Sequence, residues 1–139
     1  MTAPFVHVHR VRFDEVDAAG IVYFARFFTW CHDTMEAMLA GVDGGYVALV
    51  RDRRLGFPAV HVEADYAAPL RFGDDVQIAA TVERLGTSSI TIRFDLTSAG
   101  DHVATLRHVV ALTDLAAMRA RPIPPDVRAA LEAWLQPEG

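Results

Sequence analysis

The stretch Phe13-Asp14-Glu15-Val16-Asp17-Ala18-Ala19-Gly20-Ile21-Val22-Tyr23-Phe24 decides how this chain is read. A strand-like run ends at Phe13, an acidic loop of small residues follows, and Gly20 closes it. From about Phe24 the apolar period turns helical. The order sets a carboxylate beside the free backbone N–H groups of a helix N-terminus. Those groups carry partial positive charge and attract a developing anion. A carboxylate next to an oxyanion-binding helix end is suited to acyl transfer.

The rest of the chain sets bounds on that reading. A length of 139 residues predicts one domain over 1–139 with a real core. A net charge of -5 argues against a nucleic-acid partner, though not against a local basic pocket for one phosphorylated ligand. Cys31 is the only cysteine, which excludes an internal disulfide and suits a reducing cytoplasm. No apolar run reaches the roughly 18 residues of a membrane-spanning helix. The N-terminus, polar from His7 onward, lacks the apolar core of a signal peptide.

Upstream of the loop, Phe5 to Phe13 alternates as a strand, with His7 and His9 on one face, expected to be the outer one. That spacing could hold a metal, but no further His or Cys cluster supports one. Downstream, Phe24, Phe27, Phe28, Cys31, Met35, Met38 and Leu39 recur at helical spacing up to about Ala40, with Arg26, Thr29, Asp33 and Glu36 opposite. Gly41 is a natural stop. Tyr46 to Arg53 reads as a short second helix. Four strand-like runs follow, over Gly56–Tyr66, Val76–Leu85, Ser89–Thr97 and His102–Leu115. Ile90, Ile92, Phe94 and Leu96 give the cleanest alternation. Gly86-Thr87-Ser88 is a hairpin turn, and Pro125 opens a short C-terminal helix. The order defines an α+β fold with helices on one side of an antiparallel sheet, whose open face and edges call for self-association.

Asp17-Ala18-Ala19-Gly20-Ile21-Val22-Tyr23-Phe24, followed by Trp30-Cys31-His32 and Glu36, resembles the signature of the 4-hydroxybenzoyl-CoA thioesterase family of hotdog-fold proteins. The resemblance extends through Phe57-Pro58-Ala59-Val60, Glu63-Ala64-Asp65-Tyr66 and Ala68-Pro69-Leu70-Arg71-Phe72-Gly73-Asp74. It implies a five-stranded antiparallel sheet wrapped around one long central helix. It also implies a homodimer with active sites at its interface, commonly paired into a homotetramer. The implied activity is hydrolysis of an aromatic acyl-CoA, 4-hydroxybenzoyl-CoA-like or dihydroxynaphthoyl-CoA-like, with no metal and no cofactor beyond the CoA of the substrate. The alternatives are a thioesterase acting on acyl-carrier protein and a non-catalytic acyl-CoA-binding protein.

By position in that motif, Asp17 matches the catalytic carboxylate, as nucleophile or general base, and the Phe24 backbone N–H matches the group that polarises the carbonyl. Gly20 fits the tight loop between them. Asp14 and Glu15 read as solvated loop carboxylates. Tyr23, His61 and Glu36 are the expected substrate contacts. His61 sits on the strand that faces the acyl pocket in related proteins, and Glu36 is the rival catalytic carboxylate. CoA needs cations and hydroxyl donors. Related proteins place these near the Gly86 turn, which assigns Arg84, Thr87 and Ser88 to CoA, with Arg54 and Arg121 further candidates. Cys31 reads as a buried inert thiol.

Overall fold

A computed structural model describes residues 3–136 of the chain. Its five-stranded sheet runs in the order β1-β4-β5-β6-β3, every pair antiparallel. The strands are β1 (Phe5–Arg10), β3 (Ala59–Tyr66), β4 (Asp75–Leu85), β5 (Ser89–Ser98) and β6 (Asp101–Ala111). The two-residue strand β2 (Leu55–Gly56) joins β7 (Thr113–Asp114) and β8 (Arg119–Ala120) in a small second sheet. Two of the runs expected from sequence are therefore split. Phe57-Pro58 separates β2 from β3, since proline cannot donate to the ladder. Leu112 separates β6 from β7.

Helix α1 (Arg26–Met38) spans 13 residues, about 20 Å. It is shorter than the expected long helix, because Phe24 and Ala25 form only a turn and Leu39–Gly41 tightens into a 3₁₀ turn. A short turn, α2 (Gly45–Val47), widens into a π-turn over Ala48–Asp52. Helix α3 (Pro125–Glu132) is the last helix among the described residues, with Pro125 in its first turn, and Leu135 beyond it bridges Val82 of β4.

Alternation decides the core. Val76, Ile78, Ala80 and Val82 of β4, Ile90, Ile92, Phe94 and Leu96 of β5, and Leu106 and Val110 of β6 point inward. Phe27, Trp30, Cys31, Met35 and Met38 of α1 join the same cluster. β1 runs opposite to the expectation. Phe5, His7 and His9 are half-buried, whereas Val6 and Val8 are exposed. The reason lies on α1 and in the loop, where Trp30 and Glu15 give His9 a ring contact and a hydrogen bond that valine cannot make. Strand β3 is a sheet edge, and its Val60 is 63% exposed.

Candidate active site

The loop between β1 and α1 is a hairpin built on two carboxylates. Val16 and Val22 bridge antiparallel, and Asp17 N–H donates to the Ile21 carbonyl at 2.9 Å. Gly20 N–H returns to the Asp17 carbonyl at 2.9 Å with φ +80, a conformation that side chains with a Cβ resist. Asp17 is exposed, and its Oδ1 accepts the Ala19 N–H at 2.8 Å. That bond locks the turn and leaves Oδ2 open among the described residues.

Glu15 is no solvated carboxylate. It is 8% exposed and binds three donors: the Arg12 N–H at 2.7 Å, Trp30 Nε1 at 2.7 Å and His9 Nε2 at 2.8 Å. Burial pushes its carboxyl up, but the Arg12 N–H, His9 and Trp30 outweigh that and hold it below the ordinary range. The Glu15 carbonyl also takes the Tyr23 N–H at 3.0 Å. One residue thus ties the loop to β1, to the start of the helix and to its first turns.

The helix start stays open to a ligand. Its N-cap is Ala25, with no side-chain cap. Among the described residues the Phe24 N–H has no backbone partner, whereas the Tyr23 carbonyl is taken by Arg26 N–H at 2.9 Å. Beside it lies an apolar pocket of about 340 Å³, lined by Ile21, Val22, Phe24, Phe27, Tyr66 and Leu70 among others. That is the lower end of small-molecule sites. The hairpin's Ile21 and Val22 share that pocket with Phe24, and the Tyr23 ring lies tilted against Phe24 at 4.9 Å.

The remaining expected residues lie elsewhere within one chain. His61 is exposed, bonds Glu63 at 2.9 Å and lines a separate groove on the outer sheet face with Arg84, Thr91 and Arg107. The strand period puts its neighbours Val60 and Val62 on the inner face instead. Arg84 points the same way as Glu83 because a register shift falls between Val82 and Arg84. The turn holding Thr87 and Ser88 is fixed by its backbone, with Thr87 and Ser88 carbonyls accepting Ile123 and Leu112 N–H groups at 2.9 and 2.8 Å. Arg54 and Arg121 lie near Asp114. Glu36 pairs with His32 at 2.9 Å on the other side of α1 from Phe27 and Trp30, with Tyr46 against His32. Burial drives the Cys31 thiol up, leaving it inert.

One buried group had no signal in the alternation that hides it. His108 is 8% exposed on the inner face of β6, between Phe28 and Phe94, and its Nε2 has no partner among the described residues. Burial, with nearby His32, lowers its imidazole to about 4.

An exposed carboxylate on a glycine-closed turn, an uncapped helix start and an apolar pocket beside that start make up the candidate site. The chain belongs to the thioesterase-like superfamily, whose family model matches residues 11–131. It is 33% identical over 135 residues to a 1,4-dihydroxy-2-naphthoyl-CoA hydrolase of Synechococcus sp. (strain CC9311), covering 91% of this chain and 85% of that one. A gentisyl-coenzyme A thioesterase structure superposes with a TM-score of 0.81 at 28% identity, over 91% of this chain and 98% of the other. A thioesterase-superfamily structure from Jannaschia sp. CCS1 gives a TM-score of 0.86 at 27% identity, over 96% and 94% of the two chains. The chain is a thioester hydrolase. Its named relatives act on dihydroxynaphthoyl and gentisyl thioesters, so the narrower resemblance to 4-hydroxybenzoyl-CoA thioesterase widens to the superfamily.

Proposed function

We propose that this chain hydrolyses an aromatic acyl-CoA to the free acid and CoA, with Asp17 as the attacking or base carboxylate. The observation that carries the reading is that Phe24, whose N–H has no backbone partner among the described residues, lines the same apolar pocket as Ile21 and Val22 of the Asp17 hairpin. The thioester carbonyl accepts that N–H, which gains strength as charge develops on oxygen. The open Oδ2 of Asp17 attacks the carbonyl carbon and expels the CoA thiolate, leaving an acyl-aspartyl anhydride that water hydrolyses, or it removes a proton from a water that attacks the carbon and expels the thiolate directly. Phe24, Phe27 and Tyr66 favour a flat ring in the acyl position. The relatives support an aromatic acid: dihydroxynaphthoyl in one, gentisyl in the other. Arg84, Thr87 and Ser88 supply cation and hydroxyl contacts to CoA, and Tyr23, His61 and Glu36 contact the substrate across a subunit boundary. The bare edge of β3, with Val60 and Val62 exposed, supports a homodimer joined along that strand, paired again into a homotetramer.

Asp17→Asn keeps the turn's shape and removes the charge. Thiol release from 1,4-dihydroxy-2-naphthoyl-CoA, 4-hydroxybenzoyl-CoA, octanoyl-CoA and a matched carrier-protein thioester tests the reading. Aromatic CoA esters turn over fastest, and Asp17→Asn lowers kcat by about 10²- to 10³-fold. Wild-type turnover by that variant overturns the mechanism, and preference for the carrier-protein ester overturns the CoA assignment.

A further inference from the structure

The uncapped start of α1 poses a physical problem. A side-chain cap orders a helix end by taking its first N–H groups. Here such a cap would compete with the substrate for the same donors. Ala25 supplies none, so the first turn must be ordered in another way.

Tyr66, the last residue of β3, does so from outside. Its hydroxyl donates to the Phe24 carbonyl at 3.0 Å. The helix's own bond to that carbonyl, from Phe27 N–H, is long at 3.3 Å. The Tyr66 ring stands edge-on to Phe27 at 5.0 Å and to Phe24 at 6.5 Å. Its backbone is anchored in turn, because the Val103 carbonyl takes the N–H groups of both Ala67 and Ala68, at 2.7 and 3.1 Å. Burial, with a smaller push from Cys31, raises the phenol, so it stays a proton donor at neutral pH.

We propose that Tyr66 is a positioning residue for thioester hydrolysis: it orders the helix start through the Phe24 carbonyl and leaves the Phe24 N–H free for the oxyanion. This rests on the role of the Phe24 N–H proposed above. The geometry divides the labour on one residue. Phe24 is held by its carbonyl and its ring, and its N–H is kept for the substrate. Preorganised donors stabilise a transition state because they do not have to reorient when charge appears.

Tyr66→Phe keeps the ring contacts and deletes the donor. With 4-hydroxybenzoyl-CoA as probe, or 1,4-dihydroxy-2-naphthoyl-CoA if that turns over faster, kcat falls about 10-fold while KM stays within about 2-fold. The loss is smaller than that for an oxyanion donor itself, which is about 10²- to 10³-fold. A raised KM with unchanged kcat marks Tyr66 as pocket lining and overturns the proposal. In an Asp17→Asn background the ester persists, so the vibrational band of its bound carbonyl can be read directly. Adding Tyr66→Phe moves that band towards the free ester, and an unmoved band overturns the proposal. Should Tyr66→Phe fold poorly, 3,5-difluorotyrosine at position 66 keeps the hydroxyl but lowers the pKa of the phenol. Activity then falls as pH rises through that lower value, in a limb the wild type lacks, and an unchanged pH profile overturns the proposal. A dead Asp17→Asn with a fully active Tyr66→Phe removes only this inference. An active Asp17→Asn removes the reading beneath it.

Discussion

Glu15 and Asp17 stand two positions apart in one acidic loop, yet they meet opposite environments. Glu15 is buried, with both oxygens taken by three donors. Asp17 is exposed, with one oxygen on a backbone N–H and the other open. A buried carboxylate with hydrogen bonds on both oxygens cannot attack or accept a proton cheaply. One that is half-used and pinned at its own turn can. Partners thus separate the structural acid from the one proposed for the chemistry, where composition alone makes them twins.

The comparison breaks most sharply at Glu15→Ala. His9, Trp30 Nε1 and the Arg12 N–H would lose their acceptor in a buried place. The expected cost is about 3–4 kcal/mol of unfolding free energy, read by urea denaturation. Asp17→Asn, by contrast, leaves the urea midpoint unchanged while turnover collapses. If the two variants exchanged phenotypes, the assignment of roles would be reversed.

His108 sharpens the contrast from the other side, as a buried group whose Nε2 has no hydrogen-bond partner among the described residues. Its imidazole sits near 4 when folded, against an ordinary 6.5. Between those values the unfolded chain binds a proton that the folded chain refuses. Stability is therefore complete above about pH 6.5 and falls as pH drops towards 4, by on the order of 3 kcal/mol across that window. Glu15, held below its ordinary 4.5, adds a further loss at still lower pH. His108→Leu removes the first window, so melting curves at pH 7.5 and 4.5 draw closer together. An unchanged gap would show that His108 is not the responsible group.

What was legible in the chain follows its local periods. The alternation of Ile90 to Leu96 marks β5, and the small residues around Gly20 mark the tight turn that follows Asp17. The partners of Glu15 were not legible, because they arrive from β1 and α1, and no spacing in the loop records them. The inward face of β1 departs from its polar–apolar pattern for the same reason. His9 is polar by type but is satisfied by Glu15, so it goes in while Val6 and Val8 stay out. His61 was placed by strand identity, yet strand period decides its face, and it shares the outer groove with Arg84. The pairing of β3 with β6 is non-local and lay beyond any run of residues.

A smaller effect belongs to the turn that holds Asp17. At φ +80, Gly20 has open space around a would-be Cβ, so only the backbone resists alanine. Gly20→Ala therefore costs about 1–2 kcal/mol, visible as a modest drop in melting temperature. It also loosens the bond from Gly20 N–H to the Asp17 carbonyl, and kcat falls with it. A stability loss without a kcat loss would show that the turn's geometry is not what aims Asp17.

The smallest effect is expected at Glu36, the third carboxylate in the comparison. It pairs with His32 one helical turn away, with both side chains close to half exposed. Such pairs are worth about 0.3–0.5 kcal/mol, so Glu36→Gln leaves the fold almost untouched. Its catalytic consequence is more informative. On the reading above, kcat stays within about 2-fold, and any change falls on KM, as a substrate contact across the subunit boundary requires. Glu36 also lies against Tyr46, whose phenol is raised first by burial and then by that carboxylate, so Glu36→Gln brings the Tyr46 titration down. If kcat instead dropped as far as in Asp17→Asn, the chemical acid would be on the helix and the exposed turn would be scaffolding.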